Sequence, residues 1–379
     1  MSWILILLIV VLIAYGLKIF AEKNGLLPKL PIERLHIHFN GEPIIGHCLI
    51  WDMRSETQRH ENKIHQHLDG DIVVFFHGHA QRANDGSHFT KTLCQKSKSR
   101  ILILPLVYTP FGKEEKWRGD AGKMIILMAI VRYGLKKMGL RVEGFEPVSD
   151  LPVYINGIQV VNEDNPECIP AKLMVVGWSH GAALARLFAH HYSKSVSYIV
   201  QMSPSGFESW GSPQLRGAYL FIGFIIEVIL ISLTMFKGSF KPALGAGFAI
   251  LKGTAGDFIG SLYSNFFGNF HWGKFFRSYL DMDQCAITYD DDSAPVPQLK
   301  HIVVLYGKND TLFEPEKAFP FKNIHNLTQE EVNQFWMRYY PSALTTGASL
   351  TFKVLSGNHM GPLVYEEEYI NAALSGINS

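Results

Sequence analysis

The feature that most constrains the fold is a set of six short segments rich in apolar and β-branched residues, each ending near a glycine or a proline. Four of them, at 71–80, 100–110, 171–178 and 301–310, fit strands that are buried on both faces of a sheet. Helical patterns lie between them, at 87–99, at 121–138, directly after residue 179 and at 328–339. This alternation predicts an α/β fold, with a mostly parallel sheet and helices on both of its faces. The six segments are 71–80, 100–110, 171–178, 196–204, 301–310 and 349–359.

Two further patterns predict antiparallel pairing beside this sheet. Residues 32–52 alternate between apolar and polar on either side of a turn sequence at 40–43, which predicts a two-stranded antiparallel start. The dipeptide Asn156-Gly157 lies between two short apolar stretches and is the strongest local signal for a β-hairpin.

The composition excludes several classes of function. The formal charge is +1, so we expect no nucleic-acid partner. Charged residues make up 18% and apolar residues 47% of the chain, which excludes a disordered or fibrous protein. The four cysteines form no CxxC pair, and the chain contains neither HExxH nor a phosphate-binding GxxxxGK[ST] motif. We therefore predict no metal and no cofactor, with a metal held by His60, His65 and His67 left as a minor alternative.

The N-terminus carries an apolar stretch, residues 3–21, interrupted by Lys18. Its length is about the ~20 residues that a helix needs to cross a bilayer. No basic residue precedes it and no good cleavage site follows it, so we predict a retained transmembrane anchor at 1–21 rather than a cleaved signal peptide. Lys18 lies near the end of the stretch, and Lys23 and Lys29 follow it, which favours a cytosolic C-terminal domain by the positive-inside rule.

One motif carries a specific chemistry. Gly177-Trp178-Ser179-His180-Gly181 stands between a predicted buried strand and a predicted helix. A G-x-S-x-G sequence in that context is typical of a serine nucleophile on a sharp strand-to-helix turn. Glycines two residues from the serine lack the Cβ atoms that would clash in such a turn. We predict that Ser179 is a nucleophile and that the helix N-terminus supplies backbone N–H groups beside it.

A serine hydroxyl needs a general base, and the base needs an acid that orients it. His359 follows the last predicted strand, and Asp310 follows the strand before it. Loops at the carboxyl ends of strands are where α/β sheets place their sites. We therefore predict His359 as the base and Asp310 as the acid, with Glu208 and the acidic residues 290–292 as alternatives for the acid.

In these motifs and their order the chain resembles the α/β-hydrolase superfamily, lipase/esterase type, from about Ile32 to the C-terminus. The superfamily has the chain order nucleophile, acid, histidine, which here is Ser179, Asp310 and His359. The resemblance implies an α/β-hydrolase fold and a Ser-His-Asp catalytic triad. One departure is the spacing of 49 residues between the acid and the histidine, which predicts a helical insertion between them.

The resemblance also implies an oxyanion hole made of two backbone N–H groups. The first belongs to the residue after the nucleophile, here His180. The second follows the first long strand, where the chain has His77-Gly78-His79-Ala80. We assign it to His79, with Ala80 as the alternative.

Residues 207–297 lie where the superfamily carries a lid or cap. Within them, 217–236 is apolar enough to span a bilayer. A single crossing there would separate Ser179 from Asp310 and His359, so we predict a lid helix that packs on the core or lies on the membrane surface. The predicted division is an anchor at 1–21, a hydrolase core at 22–206 and 298–379, and a lid at 207–297.

These inferences predict a membrane-anchored serine hydrolase that cleaves an ester with a long acyl chain. Monoacylglycerol or lysophospholipid is the expected substrate class, and the bilayer is the expected partner. A thioesterase, amidase or acyltransferase with the same triad remains an alternative, as does a non-catalytic scaffold on the same fold.

Overall fold

The centre of the fold is one mixed β-sheet whose strands come from both halves of the chain. The computed structural model describes residues 32–39, 41–57, 59–60, 68–78, 87–97, 101–107, 119–143, 152–160, 168–205, 207, 299–324 and 326–375. The strands are β1 (Ile32–Phe39), β2 (Glu42–Asp52), β3 (Leu68–Phe76), β4 (Ile101–Val107), β5 (Leu140–Arg141), β6 (Val153–Ile155), β7 (Ile158–Val160), β8 (Ile169–Trp178), β9 (Val196–Met202), β10 (His301–Gly307) and β11 (Ser349–Leu355). Their order across the sheet is β11-β10-β9-β8-β3-β4-β2-β1-β6-β7, and β5 pairs with the start of β8.

The strands from β11 to β4 in that order all run parallel, as the sequence predicts. Every residue of β10 is buried, which is why its sequence is a continuous apolar run. The side chains of β3 show the two faces. Val74 and Phe76 pack into one core cluster, and Val73 and Phe75 pack into the other.

Helices cover both of these faces. The helices are α1 (Ser87–Lys96), α2 (Gly119–Lys137), α3 (His180–His191), α4 (Pro315–Ala318), α5 (Gln329–Tyr339), α6 (Pro341–Thr346), α7 (Gly361–Val364) and α8 (Glu366–Leu374). One cluster contains side chains of α2, α3 and α5, and the opposite cluster contains side chains of α1 and α8. A capping box starts α5, since Thr328 accepts a hydrogen bond from the Glu331 backbone N–H and the Glu331 carboxylate accepts one from the Thr328 backbone N–H.

The sheet continues beyond β4 as an antiparallel extension of β2, β1, β6 and β7. The predicted hairpin joins β6 to β7, with φ of 52° at Asn156 and 79° at Gly157. Positive φ at both central residues is what a type I′ hairpin turn requires. In β1, Leu35, Ile37 and Phe39 are buried while their neighbours are exposed, so this extension has one buried face.

The structure corrects the predicted start of one strand and the predicted bounds of two helices, and it confirms a predicted helical insertion. The predicted strand segment 71–80 starts too late, because β3 already begins at Leu68, which pairs with Ala171 of β8. Helix α1 ends at Lys96 rather than at 99, and α2 begins at Gly119 rather than at 121. The helical insertion expected between the acid and the histidine is present as α4, α5 and α6.

Several predictions concern residues outside the described ranges. They are the anchor at 1–21, the lid at 207–297 apart from Phe207, and the oxyanion donor His79 with its alternative Ala80. Across the ranges given above, no helix combines the length and the apolar character that a bilayer crossing needs.

Candidate active site

The strand order creates a crevice at the carboxyl ends of β3 and β8. From β3 the chain moves outward to β4, and it later returns to place β8 on the other side of β3. The strands that follow, β9 to β11, then continue in the opposite direction across the sheet. A reversal of this kind opens a crevice outside the carboxyl ends of the two central strands. Here those ends carry His77 and Ser179.

Ser179 occupies a strained turn between β8 and α3. Its backbone has φ 57° and ψ −127°, outside the regions that a non-glycine residue normally adopts. Strain of this kind costs about 1–3 kcal/mol and persists only where the surroundings impose it. The Ser179 N–H donates to the Met202 carbonyl at 2.9 Å, and its carbonyl accepts from Ala182 at 2.9 Å and from Ser205 at 3.2 Å. The turn is therefore held on both of its sides.

The two glycines of the motif are sterically required. A Cβ on Gly177 would lie 2.2 Å from the Gly181 carbonyl oxygen. A Cβ on Gly181 would lie 2.1 Å from the carbonyl oxygen of Phe76 and 2.5 Å from that of His77. The close approach brings the N-terminus of α3 directly against the end of β3, on which the predicted oxyanion hole depends.

Asp310 and His359 form a buried pair. Nδ1 of His359 lies 3.0 Å from Oδ2 of Asp310, and the residues are 5% and 3% exposed. The other carboxylate oxygen of Asp310 accepts the backbone N–H groups of Leu312 at 3.0 Å and Phe313 at 2.9 Å. With the Asp310 carboxylate as acceptor, Nδ1 carries the proton, and Nε2 of the neutral ring is left as a proton acceptor.

The loops that carry this pair lie backbone against backbone. The N–H of Asn309 donates to the Gly357 carbonyl at 2.9 Å, and Gly357 adopts φ 97°. A Cβ on Gly307 would lie 2.5 Å from the carbonyl oxygen of Asn358. Such packing fixes Asp310 and His359 relative to each other.

Aromatic side chains surround the imidazole of His359. The ring of Phe313 lies 5.3 Å from it, and the ring of Trp178 lies 6.0 Å from it, measured between centroids. The Trp178 indole N–H donates to the carbonyl oxygen of His359 at 3.1 Å. Sequence reasoning missed both residues, although the place of Trp178 beside the nucleophile was a signal that could have drawn attention to it.

Behind the base, the hydroxyl of Tyr369 lies against the backbone of the loop that follows His359. A Cβ on Gly361 would lie 2.3 Å from that oxygen. Burial, and then the negative charge of Asp310, raises the pKa of the Tyr369 phenol. Tyr369 thus stays neutral at physiological pH and acts there as packing.

Buried polar contacts hold the first turn of α3. The Gln201 amide donates to the Ala182 carbonyl at 2.9 Å and accepts a hydrogen bond from the Tyr340 hydroxyl. The guanidinium of Arg186, farther along α3, lies 4.2 Å from the centre of the Tyr340 ring. These contacts tie the helix behind Ser179 to β9 and to the helical insertion.

The predicted oxyanion residues are described only in part. His180 is the first residue of α3 and is buried, so its backbone N–H lies at the positive end of the helix dipole. At the end of β3, Nδ1 of His77 lies 2.7 Å from the Gly78 carbonyl oxygen. That contact gives the His77 side chain a structural role.

Comparisons with known proteins find similarity in structure rather than in sequence. No protein-family model matches the chain, and no curated protein sequence matches it. The enol-lactonase from Burkholderia xenovorans LB400 is similar with a TM-score of 0.50 and 10% identity, over 90% of this chain and 98% of that one. A thermophilic esterase from Thermogutta terrifontis gives 0.49 and 13%, over 92% and 98% of the two chains. A probable hydrolytic enzyme from Pseudomonas aeruginosa PAO1 gives 0.49 and 15%, over 92% and 95%.

Proposed function

We propose that this chain, which has the α/β-hydrolase fold, is a serine hydrolase that cleaves carboxylic esters. Ser179 is the nucleophile, His359 the general base and Asp310 the residue that orients it. The observation that carries the proposal is the buried 3.0 Å contact between His359 and Asp310, at the sheet edge where Ser179 occupies its strained turn.

The reaction proceeds in two halves. Ser179 attacks the ester carbonyl carbon while Nε2 of His359 takes the hydroxyl proton, and the imidazolium then returns that proton to the leaving alcohol. Asp310 stabilises the imidazolium through Nδ1 without taking the proton. A water molecule, deprotonated by His359, then attacks the acyl-enzyme and releases the carboxylic acid and the free serine.

The negative oxygen of each tetrahedral intermediate needs fixed donors. The His180 backbone N–H, at the positive end of the α3 dipole, is the first donor. The second is the backbone N–H of His79, or of Ala80, in the loop that follows β3. The contact between Gly181 and the end of β3 supports this pairing, because it brings the two segments together.

We assign the substrate to lipid-like esters of the monoacylglycerol or lysophospholipid type. The sequence supports this through the apolar stretch at 3–21, which we propose as a single membrane anchor, and through the aromatic-rich segment 207–297, which we propose as the lid. A long acyl chain needs an apolar wall to replace water, and aromatic side chains supply one.

The proposal is tested by labelling the full chain, in detergent micelles, with a fluorophosphonate probe. Ser179→Ala should abolish labelling, since the probe reacts only with an activated serine. The matched control is Ser203→Ala, because Ser203 is also buried, also has a positive φ of 43° and directly follows the neighbouring strand β9. That variant should label like the wild type. A folded wild type that stays unlabelled in micelles would contradict the proposal and favour a scaffold.

A series of esters then tests the substrate class. Hydrolysis should be fastest for long-chain monoacylglycerols in micelles and should fall as the acyl chain shortens. Faster turnover of short soluble esters would remove the lipid assignment and leave the serine hydrolase intact. Acyl thioesters, acyl amides and alcohol acceptors, measured in the same series, separate hydrolysis of esters from the other reactions of this triad.

A further inference from the structure

Trp178 is placed to act on the base rather than on the nucleophile that it precedes. It is the last residue of β8, and its side chain packs in the cluster opposite α3, together with Met360 and Tyr369. Met360 directly follows His359, and the Trp178 side chain is almost fully buried at 1% exposure. The indole therefore lies under the loop that carries the base.

The indole N–H makes a specific contact there. It donates to the carbonyl oxygen of His359 at 3.1 Å, across 181 positions of the chain. Two strands, β9 and β10, separate β8 from β11 in the sheet. The bond therefore joins the two outer members of the site across the strands between them.

Other contacts of the base loop have different targets. His359 bonds Asp310 through its ring, and Asn309 bonds Gly357 through its backbone. The Asn358 side chain accepts the Met360 N–H at 3.1 Å, within the loop itself. These contacts fix the base relative to the acid. The Trp178 bond fixes it relative to the nucleophile turn, since Trp178 is covalently joined to Ser179.

We infer that Trp178 is a positioning residue that sets the distance between Ser179 Oγ and His359 Nε2 through its hydrogen bond to the His359 carbonyl. The inference rests on the proposed function. The indole N–H is a donor only, so it takes no part in proton transfer. Its effect is on alignment, and a displacement of about 1 Å between reacting groups can lower the rate by roughly 100-fold.

The test is Trp178→Phe, which keeps an aromatic ring and removes the N–H. The turnover number kcat on a soluble ester, and the fluorophosphonate labelling rate, should both fall by about 10- to 100-fold. KM should stay within about twofold, because alignment acts on the chemical step. The matched control is Trp336→Phe, since Trp336 is also 1% exposed but packs against Phe335 in α5. This control should keep both rates within about twofold of the wild type.

A second replacement covers the case in which Trp178→Phe does not fold. Benzothienylalanine at position 178 exchanges the indole N–H for sulfur at nearly constant shape, and the same loss of rate is expected. Wild-type rates in a folded variant that lacks the N–H overturn the inference, as does an equal loss of rate in Trp336→Phe. If the wild type and Trp178→Phe are labelled at the same rate, this inference fails and the proposed function stands. A folded wild type that fails to label removes the proposed function with it.

Discussion

The parallel and antiparallel halves of the sheet differ in whether their strands end at a shared edge. In the parallel half, β4, β3, β8, β9, β10 and β11 all end at the same edge, and Ser179, Asp310 and His359 follow three of these ends. In the antiparallel half, neighbouring strands end at opposite edges. Functional loops can therefore accumulate at one edge of the parallel half, while the antiparallel half has no shared edge for them.

Burial differs in the same way. The residues of β10 are buried on both faces, whereas β1 alternates and β7 is largely exposed. Ile158 on β7 is 54% exposed. The pair Asp310–His359, which follows strands of the parallel half, is therefore shielded from water, whereas the ion pair that Glu33 of β1 makes with Lys137 is partly exposed. We expect substitutions in the first half to change activity strongly and comparable substitutions in the second to change stability slightly.

The largest effect is expected for Asp310→Asn. An amide in place of the carboxylate presents its N–H₂ or its neutral oxygen to Nδ1 of His359, so the ring loses both its fixed tautomer and its counter-charge. We expect kcat to fall by about 10,000-fold, as in triads generally. Steady-state kinetics on a soluble ester provides the measurement, and thermal unfolding checks that the variant is folded.

The matched control for Asp310→Asn is Glu33→Gln in the antiparallel half. The Glu33 carboxylate lies 2.7 Å from Nζ of Lys137, but these side chains are 32% and 48% exposed. An exposed ion pair contributes about 0–1 kcal/mol to stability. This variant should keep wild-type kcat. If it lost activity as Asp310→Asn does, the difference between the two halves would not hold.

A smaller effect is expected for Gly181→Ala. The new Cβ would meet the backbone oxygens of Phe76 and His77, which cannot rotate away, so α3 must move from the end of β3. We expect kcat to fall by roughly 100-fold, and the free energy of unfolding to fall by about 1–3 kcal/mol. Kinetics combined with urea unfolding measures both quantities.

Gly157→Ala is the control for this glycine, since no atom lies within 4 Å of its added Cβ. Its φ of 79° alone should cost about 1 kcal/mol of unfolding free energy. Activity should be unchanged. Equal losses of activity in the two variants would show that the loss reflects reduced stability rather than the geometry of the site.

Local patterns predicted the strands, the hairpin turn and the closeness of Asp310 to His359. The apolar run at 301–310 contains β10, Asn156-Gly157 forms its hairpin turn, and Asp310 lies beside His359 as expected. In each case the cause is local: residue burial, a backbone conformation, or the end of a strand. Neighbouring parallel strands then bring the acid and the base together without further information.

Contacts between distant segments could not be predicted in this way. Nothing near Trp178 in the sequence indicates that its N–H bonds a carbonyl 181 positions later. Gln201 likewise bonds Ala182 and Tyr340 only because β9 packs against α3 and against the junction of α5 and α6. Such pairs depend on the register of whole elements, which the pattern of each element alone does not contain.

The smallest effect is expected at the opposite edge of the parallel half, where α3 ends at His191. Burial, and then the charge of His190, lowers the pKa of His191 to about 4. In the unfolded chain His191 has the ordinary histidine pKa of 6.5 and binds a proton that the folded protein does not, so stability falls as the pH drops from 6.5 to about 4. His191→Gln should reduce this loss of stability. Part of the loss should remain, because burial also lowers the pKa values of His47 and His301.

Urea midpoints at several pH values measure how steeply stability changes with pH. The control is His36→Gln, a substitution at an exposed position that should leave this dependence unchanged. Activity at neutral pH should match the wild type, and a marked loss in His191→Gln would show that the edge carrying Ser179 is not independent of the edge opposite to it.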